Sequence, residues 1–150
     1  MTLNFEKYAS KGHEFVNKVA VRLGDEENRD RAGRVVRSVL HALRNRLTVE
    51  ESLQLLSQLP MAIKSVYVEG WKLHHDLKRI KTIEDFCEEV MKEDGQAVWR
   101  DFSNVDEAME AIEAVMKTLA DYVTAGELHD VIDLMPKEIK QHFVVWVHTP

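Results

Sequence analysis

The chain repeats itself, and the repeat decides most of what it can fold into. Adding 76 to every number from 28 to 67 gives residues 104 to 143 without a gap, and ten of those forty positions are identical. Asn28 recurs as Asn104, Ala32 as Ala108, Val39 as Val115, Leu43 as Leu119, Thr48 as Thr124, Glu51 as Glu127 and Pro60 as Pro136. Most of the other apolar positions stay apolar. Self-similarity at a fixed offset describes two copies of one supersecondary unit that bury their apolar faces against each other. Separate domains of about 75 residues each would be marginal, whereas 150 residues suit one shared core. The expectation is a single all-α domain over residues 1–150, built from two pseudo-repeated four-helix units at about 4–71 and 83–146.

Helical periodicity runs through both copies. Val35, Val36, Val39, Leu40, Leu43 and Leu47 form an apolar stripe, and Ala111, Ile112, Val115, Met116, Leu119 and Val123 repeat it, which predicts central helices over residues 31–47 and 106–123. Thr48-Val-Glu-Glu51 and Thr124-Ala-Gly-Glu127 both read as capping boxes opening the next helix. Those helices carry Leu53, Leu55, Leu56 and Leu59 in one copy and Leu128, Val131, Ile132 and Met135 in the other. They should stop where Pro60 and Pro136 disfavour helical geometry in the preceding residue. A short fourth helix then ends near Tyr67 or Phe143. The first helices match at a different offset, Phe15 with Phe86 and Val19 with Val90, so the second copy holds five extra residues, expected within 95–103. Trp99 and Phe102 fall there and are expected to pack on the side of the core. Residues 70–81 form a basic connector without Pro or Ser runs, a packed joint more than a tether.

A composition of 45% hydrophobic and 31% charged residues excludes a disordered chain. Residues 1–20 show no apolar targeting core, and no stretch approaches the roughly 18 apolar residues needed to span a bilayer, so a cytoplasmic location is expected and no membrane partner. Cys87 is the single cysteine, which excludes an intrachain disulfide and a thiolate zinc site.

The run from 32 to 71 contains Val39-Leu40-His41-Ala42-Leu43, Arg46-Leu47, Glu50-Glu51, Gln58-Leu59-Pro60 and Tyr67-Val-Glu-Gly70-Trp71. It resembles an uncharacterised bacterial family named only as domain of unknown function number 2267, whose members also show a two-part helical pattern. The resemblance implies an all-helical bacterial protein and implies no activity. The second half departs more from the pattern, with Leu134-Met135-Pro136 where the first has Gln58-Leu59-Pro60.

Charge separates the copies. Residues 1–81 hold 15 Lys and Arg against 10 Asp and Glu, a net of +5, while residues 82–150 hold 5 against 16, a net of −11. On the first central helix Arg34, Arg37, His41 and Arg44 share one face, and Glu110 and Glu113 stand where Arg34 and Arg37 would recur. Solvated helix faces, electrostatic complementarity with a protein partner or in a homo-oligomer, and nucleic-acid binding all begin from such a pattern. A total of −6 and an acidic second half repel phosphates, so nucleic acid is not expected as a partner.

Catalytic and metal signatures are absent from the sequence. No two of the seven histidines stand four apart, and no Glu precedes a His by three. His129 with Asp133, and Glu138 with His142, each supply half a site at most; His74 and His75 are adjacent and do not share a helix face. Cys87 aligns with Val16 and reads as a small buried hydrophobe. Asp85, Glu88, Glu89, Glu93 and Asp94 are spaced like a wet helix face. Neither a nucleophile elbow nor a phosphate-binding loop is present. The expected function is therefore non-enzymatic, without cofactor or metal: protein interaction or self-association through the basic face (Arg34, Arg37, His41, Arg44) and the acidic face (Glu110, Glu113). The alternative is a small-molecule or metal binder using a groove between the units near Tyr67, Trp71, Phe143 and Trp146.

Overall fold

The computed structural model describes residues 2–73 and 77–149, and among these the regular elements are all helical. The adjacent pair His74 and His75 lies outside the described residues. The first helix, α1 (Phe5–Arg22), is capped by the Asn4 side chain and turns Gly12, Phe15, Val19 and Ala20 into the core. The central helix α2 (Arg29–Asn45) is capped by Asn28. Then come α3 (Val49–Leu56), α4 (Met61–Val68) and, past the connector, α5 (Ile83–Glu93). A 3-10 turn (Gly95–Ala97) and the four-residue α6 (Val98–Asp101) lead to α7 (Val105–Leu119), capped by Asn104, and to α8 (Ala125–Asp133) and α9 (Lys137–His148).

Helix N-caps recur 76 residues apart. Asn28 and Asn104, Thr48 and Thr124, and Pro60 and Pro136 are the N-caps of α2 and α7, α3 and α8, and α4 and α9. The two threonines differ in detail. Thr48 forms the full capping box with Glu51, whereas at Thr124 the hydroxyl accepts from Glu127 N–H but the Thr124 N–H donates to Gln58 Oε1, 2.7 Å away at the end of α3. A third box, Thr82 with Asp85, opens α5.

Two helix ends and one aromatic differ from the sequence expectation. Helix α7 ends at Leu119 and continues as a turn, through which Val123 still reaches the core. Helix α9 runs on to His148 because no breaker follows Phe143 before Thr149-Pro150. Between α5 and α7, where both Trp99 and Phe102 were expected to pack, only Phe102 plugs the core; Trp99 is 78% exposed. The physical reason is spacing: Val98 and Phe102 are four apart and take the inward face, so Trp99 is turned outward.

Helix α1 packs on α2 and α4, and α5 packs on α7 and α9. Helix α2 also meets α5, α1 meets α7, and the pairs α2–α7 and α3–α8 close the middle. One apolar core results, with Phe15, Leu40, Leu43, Leu55, Tyr67, Phe86, Ile112, Met116 and Phe143 fully enclosed. A cross-link at its edge joins two helix starts: Ile83 N–H donates to Glu138 Oε1 at the head of α9, so Glu138 helps cap α5. In the connector Ile80 is buried, and the Lys78 carbonyl accepts from Arg46.

Candidate interaction surface

The polar face of α2 meets two structures that neutralise it. At its first half the extra segment docks. Arg34 donates from Nε and Nη2 to the two carboxylate oxygens of Asp101, each at 2.8 Å, and Arg31 Nε donates to the Asp101 carbonyl at 3.0 Å. Asp101 is 1% exposed. Burial acts most strongly against its charge, but the hydrogen bonds from Arg34 and Asp94 and the positive charges of Arg34 and Arg31 together outweigh it and hold the carboxyl below the usual range. Asp94, at the start of the same segment, accepts from Ser38 Oγ at 3.3 Å and leaves Oδ2 buried without a partner. Burial and the neighbouring Asp101 carboxylate push Asp94 up to about 6. A proton on Asp94 satisfies both carboxyls at once.

At its second half α2 receives the carbonyl end of α4, where unsatisfied C=O groups and the negative end of the helix dipole favour donors. Arg44 Nη1 donates to the carbonyls of Tyr67 at 2.6 Å and Glu69 at 2.8 Å. Its guanidinium lies 5.9 Å from the Trp71 ring centre. His41 Nε2–H donates to the Val66 carbonyl at 2.7 Å, and burial lowers its pKa, keeping the ring neutral. His41 and Arg44 are both buried, which removes them from any outer face. Arg37 is the exposed member and pairs with Glu69 at 2.8 Å.

Glu110 is exposed on α7, and Glu113 pairs with Lys117 at 2.9 Å on the same helix. No ion pair joins either glutamate to Arg34 or Arg37 among the described residues. The four aromatics expected to flank a groove are packed in two separate sets. Tyr67 is enclosed, its hydroxyl 2.7 Å from that of Ser52, with Trp71 edge-on to it at 5.9 Å; burial pushes the phenol up to about 12. Phe143 is enclosed between Phe86 and Trp146.

Among the described residues no three His, Cys, Asp or Glu side chains gather as a metal would need. His129 Nε2 sits 3.0 Å from Asp133, which also pairs with Lys140. Cys87 is fully buried, and burial with nearby carboxylates pushes its thiol up to about 12. Glu89 is paired with Arg46 in a nearly buried contact, so the carboxylate cluster of α5 is not all solvated.

Two features were not anticipated. Trp99 and Arg100 project from α6, whose Asp101 and Phe102 fix it from beneath. The four-residue spacing of Val98 and Phe102, which leaves Trp99 off their shared face, was the available signal. An apolar pocket of about 540 Å³ lies between α7, α8 and α9, lined chiefly by Ala120, Val123, Leu128, Ile132, Val144 and Val147. A wider, open cleft follows the outer face of α1 past His13 and Asn17.

The described residues thus define an all-helical protein, with no helix long and apolar enough to cross a membrane. A family model matches residues 12–142, and the chain belongs to that family, described as Uncharacterized conserved protein (DUF2267). No curated protein matches the chain.

Proposed function

We propose that this protein is a non-catalytic, self-associating helical module made from two copies of a four-helix unit around one core. The observation that carries the self-association is Trp99: a large aromatic, 78% exposed, on a segment pinned by Asp101 and Phe102. Singly exposed apolar side chains such as Phe5 and Val145 are ordinary on a monomer; what sets Trp99 apart is that it stands beside Arg100 on a fixed base, and Trp and Arg are the residues that dominate binding interfaces. The basic face of α2 is then scaffold, since Arg34, His41 and Arg44 act on the chain's own carboxylate and carbonyls.

Support for the two copies comes from reciprocal contacts. The packing of α1 on α2 has its counterpart in α5 on α7, and α2 on α5 in α1 on α7. With the offsets of 71 and 76, the Glu93–Asn45 contact corresponds to Arg22–Asp121, and Glu89–Arg46 to the Lys18 ammonium over the Tyr122 ring. The polar pair Ser52 and Tyr67 becomes the apolar pair Leu128 and Phe143. Compensating changes of this sort keep the two halves matched.

Native mass spectrometry from low-ionic-strength buffer tests the function. A homo-oligomer that dissociates on dilution is expected. A bare monomer at every concentration contradicts self-association.

A further inference from the structure

We infer that the pocket between α7, α8 and α9 seats the Trp99 indole of a second copy, an inference that rests on the self-association reading above. In the first copy α4 stops at Val68, Gly70 takes a φ of 65°, and the chain returns so that Trp71 lies against Tyr67 and Arg44. Left-handed backbone is what glycine permits at that turn. In the second copy Ala120 stands in place of Arg44, and α9 runs straight on to His148, so no aromatic folds back over it. The apolar pocket occupies that region. Where one copy supplies its own indole, the other leaves room for one.

The chain carries a single indole free to supply it. Of its three tryptophans Trp146 is buried, Trp71 is half-buried and Trp99 is exposed. Charge fits as well. Arg100 stands next to Trp99, exposed and without an ion pair among the described residues, while α8, whose Leu128, His129 and Ile132 line the pocket, also carries Glu127 and Asp130; its Asp133 is already paired with His129 and Lys140. Docking the Trp99–Arg100 tip here puts the indole among apolar side chains and the guanidinium beside an acidic helix, the arrangement that fixes orientation as well as affinity.

Sedimentation velocity over a wide concentration range, on the wild type, Trp99→Ala and Ala120→Trp, tests the assignment. Both changed residues are exposed, so circular dichroism should show both variants folded. Trp99→Ala should weaken association by about thirtyfold or more, as loss of a central aromatic anchor does. Ala120→Trp, which fills the pocket from within, should weaken it similarly. Association unchanged in Trp99→Ala overturns the inference while leaving self-association standing. Loss in Trp99→Ala but not in Ala120→Trp overturns the pocket as the seat. A monomeric wild type overturns both readings, and if it also binds anilinonaphthalene sulfonate saturably, with binding lost in Ala120→Trp, the pocket belongs to a small apolar ligand instead.

Discussion

Arg34 holds Asp101 through two parallel hydrogen bonds of 2.8 Å, and the carboxylate it holds is 1% exposed. Removing the acid leaves a guanidinium that is only 29% exposed without its partner. Breaking a fully buried pair costs more, so Asp101→Ala is expected to lower stability by about 2–3 kcal/mol. Urea denaturation measures the loss; Arg34 was not doing this work if the midpoint stays where it is.

Asp94 makes stability depend on pH in an unusual direction for an acid. Its folded pKa, pushed up to about 6, lies above the ordinary carboxylate value, so the folded state binds the proton more tightly than the unfolded chain does. That contribution is complete below about pH 4 and is lost as pH rises through about 6. The groups facing Asp94 are Asp101, Ser38 and Arg34. Asp101 is shifted down, and its own titration falls below this window. Melting temperature for wild type minus Asp94→Asn should therefore fall between about pH 4 and about 6 and level off above. A flat difference would remove Asp94 from the account.

Two glycines inside helices should respond oppositely to alanine. A Cβ on Gly12 would lie 2.6 Å from the Ala62 Cβ, closer than side chains tolerate, so α1 and α4 touch there only because Gly12 has none. Overpacking costs about 1–3 kcal/mol and should exceed the helix-propensity gain, making Gly12→Ala destabilising. Ala62→Gly should recover part of the loss. Gly33, in α2 with nothing within 4 Å of its Cβ position, should be stabilised by alanine, by about 0.5–1 kcal/mol. Thermal melts of the four proteins decide it.

Cys87 should be chemically silent in the folded protein. Its thiol is fully buried, and its pKa is pushed up to about 12. Reaction with an aromatic disulfide reagent should follow the unfolding rate, becoming fast only in denaturant. Rapid labelling of the native protein would mean that α5 opens locally.

The parts of the fold readable from the chain are those set by short-range chemistry. Apolar stripes such as Val35 to Leu43 mark the buried faces, and Asn28, Thr48 and Pro60 mark helix starts by the backbone donors they satisfy or lack. Less legible were the contacts that need a second element. His41 and Arg44 sit on the polar side of α2, and only the carbonyl end of α4 arriving against them makes that side an interior. Glu127 matches Glu51 in sequence, yet Gln58, from the turn after α3, takes the Thr124 donor. Trp99 could not be placed by composition, because an indole satisfies core and surface patterns alike. The apolar pocket was the least legible feature, since it arises from Ala120 and the straight course of α9 together.

The most direct test of self-association through Trp99 is fluorine NMR of protein labelled with 5-fluorotryptophan, followed from dilute to concentrated. Three resonances are expected, one for each tryptophan, and Trp99→Phe identifies its own by removal. The Trp99 resonance should shift with concentration and lose its sensitivity to solvent, while those of Trp71 and Trp146 change little. A Trp99 resonance that stays constant and solvent-exposed at every concentration would contradict the account.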